Sequence, residues 1–81
     1  ADHHVAAIRS WRERYDAELL AMTGDVVVFQ VGLPVENRED ALALAREFYR
    51  YCPDVIDQGA GSLQELAASL IGAKAWYFWW D

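Results

Sequence analysis

Five aromatic residues in succession, Trp76-Tyr77-Phe78-Trp79-Trp80, lie just before Asp81 and restrict the possible folds more than any other feature of the chain. In a strand, successive side chains point to opposite faces. Trp76, Phe78 and Trp80 then share one face, and Tyr77 and Trp79 take the other. One set has to fill a core against helices. The second set needs its own cover, because a bare aromatic face is unfavourable in water. Size sharpens the demand, since a chain of 81 residues buries only about 60–65% of the surface its unfolded form exposes. Four Trp, four Tyr and three Phe offset that, each burying roughly 150–250 Å². A single cysteine, Cys52, excludes an internal disulfide framework and fits the reducing cytoplasm.

Upstream, the pattern alternates between helix and strand. Val5, Ile8, Trp11, Arg12 and Tyr15 fall at spacings of three and four, which predicts a helix over His3–Tyr15 with Asp2 as its N-cap. Arg9, Glu13 and Asp16 fall on the opposite, watered stripe. Glu18–Thr23 and the β-branched run Val26–Val31 read as strands joined by a turn at Gly24-Asp25. Along the second, Val27, Phe29 and Val31 share one face, and Val26, Val28 and Gln30 the other. Asn37 with Asp40 opens a second helix, whose buried stripe is Ala41, Leu44, Ala45, Phe48, Tyr49 and Cys52. Pro53 ends it, because the residue before a proline avoids the helical region. Pro53–Gly61 reads as loop. Ser62 with Glu65 caps a third helix with an apolar face of Leu63, Leu66, Ala67, Leu70 and Ile71, and Ala75–Trp80 follows as a third strand.

The order α-β-β-α-α-β, with no repeat and no linker, predicts a single α+β domain over residues 1–81. Its expected form is a two-layer sandwich with a three-stranded, mainly antiparallel sheet packed on helices. No apolar run reaches the length of a membrane span, and Ala1–Ala7 lacks the basic start and apolar core of a signal peptide. A formal net charge of −6 argues against nucleic acid and anionic membranes, which need clustered Lys and Arg. The charge is uneven. Between residues 41 and 51 it turns positive, with Arg46 and Arg50 against Glu47 alone.

The stretch Tyr51-Cys52-Pro53-Asp54-Val55-Ile56-Asp57-Gln58-Gly59, followed by Trp76-Tyr77-Phe78-Trp79-Trp80-Asp81, resembles the bacterial domain-of-unknown-function family 4253. Arg9-Ser10-Trp11 and Ala41-Leu42-Ala43-Leu44-Ala45-Arg46-Glu47 fit the same pattern, so the likeness spans nearly the whole chain. It implies a module carried at the C-terminus of a longer cytoplasmic protein, with no assigned activity.

Chemistry-bearing residues are few. Asp54, Asp57 and Gln58 form a candidate ligand or metal loop, with Trp80 and Asp81 as possible walls, since paired carboxylates suit a hard cation or acid–base work. The structural alternative gives Asp57 to unpaired amides near the start of the third helix. Cys52 sits on the apolar stripe as an inert thiol, and adjacent His3 and His4 point about 100° apart on a helix, a poor metal pair. Arg46 and Arg50, one turn apart, either clamp an anion or form a solvated face with a Glu47–Arg50 pair. No cofactor and no resident metal is expected. The leading functional expectation is a non-enzymatic protein-interaction or regulatory module. Its partner is a protein, its own N-terminal domain or a second copy, met through the aromatic sheet face. The alternative is a small enzyme or divalent-metal binder using Asp54, Asp57 and Gln58.

Overall fold

The β-branched run Val26–Val31 forms the central strand of the sheet, as its composition favours. A computed structural model describes residues 2–80, with side chains from residue 5 onward. The elements are helix α1 (Asp2–Tyr15), strands β1 (Ala17–Met22) and β2 (Val26–Val31), helix α2 (Arg38–Tyr51), a π-helical turn (Val55–Ala60), helix α3 (Leu63–Leu70) and strand β3 (Ala75–Trp79). Both neighbours of β2 run antiparallel to it, in the order β1-β2-β3. The two-layer α+β sandwich expected from the sequence is the fold. No helix of the described residues is long and apolar enough to cross a membrane.

Register sorts the side chains into two faces. On the helix side Leu19 stands opposite Phe29 and Phe29 opposite Trp76, while Met22, Val27 and Phe78 form the next row. On the outer side the rows are Glu18–Gln30–Ala75 and Ala21–Val28–Tyr77, with Val26 opposite Trp79 beyond them. Leu20 is the extra residue of a bulge between Leu19 and Ala21, which keeps both halves of β1 in phase with β2. Thr23 closes the hairpin, its Oγ1 accepting from the Val26 N–H at 3.1 Å.

Trp11 is the hub of the core and only 1% exposed. Its ring stacks on Phe78 (centroids 5.4 Å apart, planes 2° apart) and meets Phe29, Tyr51 and Trp76 edge-on. Offset and edge-to-face pairs of this kind place positive ring edges against negative faces. α2 contributes Ala41, Leu44, Ala45, Phe48 and Tyr51, and α3 adds Leu66, Ala67 and Leu70. Both helix caps expected from the sequence form: Asn37 Oδ1 accepts from the Asp40 N–H at 2.8 Å, and Ser62 Oγ from the Glu65 N–H at 3.1 Å.

Three side chains depart from the expected stripes. Tyr49 is 42% exposed, because the buried arc of α2 is centred on Leu44, Ala45 and Phe48 and Tyr49 falls at its margin. Val5 is 58% exposed, since the α1 stripe is covered only from Ala7 onward. Ile71 follows the last residue of α3 as its C-cap, off the packed face. Asp2, expected as the cap before the helix, is the first residue of α1, and the side chains of Asp2, His3 and His4 lie outside the description.

Candidate functional site

The segment after α2 is where the structure departs most from the sequence reading. Cys52 adopts φ −148°, ψ 88° ahead of Pro53, and α2 stops there as expected. Pro53–Gly61, expected as loop, instead holds the π-helical turn. The Gly61 N–H reaches back to the Ile56 carbonyl at 2.9 Å, five residues earlier, and Gly61 at φ 91° takes the left-handed conformation that ends the turn. Val55, fully within the core, anchors it. So does Cys52, whose buried thiol donates to the Trp79 carbonyl at 2.9 Å and fastens the end of β3 to the end of α2. Burial raises the Cys52 pKa despite that hydrogen bond, so the side chain stays a neutral thiol at neutral pH.

The turn also accounts for half of the second aromatic set. A methyl group at Gly59 would lie 3.0 Å from Trp79 Cη2, so the Trp79 indole curls over the turn at the sheet edge. Tyr77, 62% exposed, is left bare on the outer face.

The carboxylates of the sequence-derived loop are distributed along this turn. Asp54 is half-buried at its N-cap position without a side-chain cap bond, while Asp57 and Gln58 are exposed. Two of the amides at the start of α3, where Asp57 was expected to act, are met by Ser62. Ser62 Oγ takes the Glu65 N–H, and the Ser62 carbonyl takes the Leu66 N–H at 3.1 Å. Asp57 takes neither of these amides. Trp80 is half-buried and edge-on to Tyr51 at 5.4 Å, and Asp81 lies outside the described residues. Among the described residues no group of three or more His, Cys, Asp or Glu is placed to hold a metal ion.

Two hollows flank the turn, and neither is walled by Asp54, Asp57 or Gln58. One, of about 380 Å³, lies towards the sheet and is bounded by Gly59, Ala60, Ser69, Trp76 and Trp79 among others. The second, of about 510 Å³, opens between α2, the turn and α3, and is lined by Arg46, Tyr49, Arg50, Ile56 and Leu63. Sequence reasoning found Arg46 and Arg50 but placed Tyr49 in the core. It also missed the turn, whose only local signal is Val55 and Ala60 at a spacing of five.

The expected Glu47–Arg50 pair does not form. Glu47 turns to α1, where its carboxylate accepts from both terminal nitrogens of Arg14, one contact being 2.9 Å (Nη1 to Oε2), and from the Trp11 indole N–H at 3.3 Å. The Glu47 hydrogen bond raises the Arg14 pKa further. A partner on another helix wins here because it offers two parallel donors plus a buried indole N–H to satisfy.

Three helices on one side of a three-stranded sheet, the other side bare, and a π-helical turn between two hollows define a small two-layer α+β domain. The chain belongs to the family described as a domain of unknown function, DUF4253, which it matches over residues 1–81. Neither a curated protein nor a solved structure matches it.

Proposed function

We propose that this domain is a non-enzymatic protein-interaction module of the cytoplasm, docking through the outer face of its sheet onto a domain carried on the same polypeptide. The observation that carries this reading is the composition of that face. Its central row is Ala21–Val28–Tyr77, with Val26 beside it, and charge gathers at one end, where Glu18 stands in the end row and Asp16 lies next to it. An aromatic anchor among small apolar residues, with charge kept to the rim, is the pattern of an interface core.

Area selects the kind of partner. Three strands about 4.8 Å apart and five residues long present a face on the order of 300 Å², well under the roughly 800 Å² per partner of a free-standing complex. A tethered domain needs less, because the linker supplies a high effective concentration. A place at the C-terminus of a longer polypeptide, which the resemblance implies, fits the same arrangement. Amide and side-chain NMR shifts of this chain, compared with those of the longer polypeptide, test it. Val26, Val28 and Tyr77 are expected to shift while the helix-side residues hold. Unchanged outer-face shifts would overturn the reading, and so would a stable dimer of the isolated chain in light scattering.

A further inference from the structure

We propose that the hollow between α2, the π-helical turn and α3 is a binding site for a small organic anion with an apolar or aromatic body. This site is separate from the sheet face and stands or falls independently of it. The volume of about 510 Å³ falls within the range of small-molecule sites, roughly 300–1,000 Å³. Its walls divide by chemistry. Ile56 and Leu63 are half-buried apolar side chains, and Tyr49 presents a ring that its helix leaves outside the core. Arg46 and Arg50 line the hollow from the same wall, one turn apart on α2, which puts both side chains on one side of it.

The charge state of those arginines turns a groove into an anion site. Glu47, the acidic residue between them, is held by Arg14 and Trp11 on α1. Among the described residues Arg14–Glu47 is the ion pair, and none of their carboxylates lies within ion-pair distance of Arg46 or Arg50. Two adjacent cations without a counter-ion repel each other. A carboxylate or phosphate between them removes that repulsion and takes up bidentate hydrogen bonds. The chain as a whole carries a net charge of −6, so this spot stands out against its surroundings and draws anions to one place. The third wall is the π-helical turn, a rare irregularity that is frequent at functional sites. An anionic head between Arg46 and Arg50, with an apolar body against Tyr49, Ile56 and Leu63, uses every wall of the hollow.

Titration with 2-naphthoate, followed by the NMR shifts of Tyr49, Ile56 and Leu63, tests the assignment. Inorganic phosphate and the neutral 2-naphthylmethanol serve as the two half-ligands. The expected result is submillimolar binding of naphthoate, at least tenfold weaker binding of either half-ligand, and marked weakening at 0.5 M salt, where exposed charges are screened. Arg46→Gln and Arg50→Gln, both at exposed positions, should each lose about tenfold in affinity with an unchanged melting temperature, whereas Arg9→Gln on α1 should bind as the parent does. Tighter binding of phosphate than of naphthoate would replace the organic anion by a simple one and overturn the proposal. Equal binding of naphthylmethanol, or naphthoate binding unaltered in Arg46→Gln and Arg50→Gln, would overturn it as well.

Discussion

Replacing Glu47 by alanine tests the contact that holds α1 to α2. Two losses are involved. The Trp11 indole N–H, in a residue only 1% exposed, loses its acceptor at 3.3 Å; an unmet buried donor costs about 1–3 kcal/mol. Water entering where the half-exposed Glu47 side chain stood puts this loss towards the lower end. The Arg14 pair, with side chains 42% and 26% exposed, goes too; pairs exposed to this degree contribute up to about 1 kcal/mol. Together these predict a loss of about 2 kcal/mol, or roughly 8–16 °C in melting temperature for a domain of this size. Glu47→Gln separates the two parts, because its amide oxygen still accepts from the indole while the charge is gone. It should cost no more than about 1 kcal/mol, matching Arg14→Ala. Urea titration followed by circular dichroism and Trp fluorescence gives these values. If Glu47→Gln proves as damaging as Glu47→Ala, the indole acceptor plays no part and the reasoning fails.

Alkaline stability should follow Tyr51, whose pKa is pushed up to about 12 from the usual 10, first by burial and then by the neighbouring Cys52. Its contribution is complete below pH 10 and lost as pH rises towards 12, because the unfolded chain ionises first; the loss is about 3 kcal/mol. Tyr51→Phe should flatten the decline between pH 10 and 12 in melts across that window, and an equally steep decline would refute the assignment. At the start of α3, Ser62→Ala should cost about 1 kcal/mol, while Asp57→Ala stays within about 0.5 kcal/mol of the parent; thermal melts of the pair decide between cap and carboxylate. Arg14→Ala frees Glu47 to reach Arg50, three residues on along α2, and should weaken naphthoate binding several-fold in the same NMR titration. Unchanged affinity would show that Glu47 has no hold over the arginines.

What the sequence disclosed depended on how local the determinant was. The β-branched run of β2, the Asn37 and Ser62 caps and the stop at Cys52-Pro53 are each decided within a few residues, and each appears in the fold. The antiparallel β3 followed from two helices that go out and return. Tyr49 was misplaced because periodicity gives the direction of a buried stripe but not its width, which depends on where α3 settles. The π-helical turn is a one-residue widening that leaves almost no periodic trace in six residues. The Arg14–Glu47 pair joins distant parts of the chain, so the near neighbour Arg50 was the natural but mistaken choice. The candidate site inherits all three errors. Its arginines were legible, while its ring, its third wall and the absence of a competing carboxylate were not.

The stacking of Trp11 on Phe78 has a consequence for the order of events in folding. The hub of the core lies in the first element, and its stacked partner lies in the last. Helices and the β1–β2 hairpin can form on microsecond scales, yet the aromatic cluster cannot close until β3 arrives. Contacts of such long sequence separation slow folding, because loop-closure entropy has to be met before packing offsets it. During synthesis, Trp11, Phe29 and Phe48 remain without their strand partners until β3 has emerged, and a nascent chain halted before Ala75 displays them to solvent. A product cut short there is therefore the species most prone to aggregate. In refolding, Trp11 and Trp76 enter their final surroundings in the same late step, so their fluorescence times the docking of β3 rather than the earlier formation of helices.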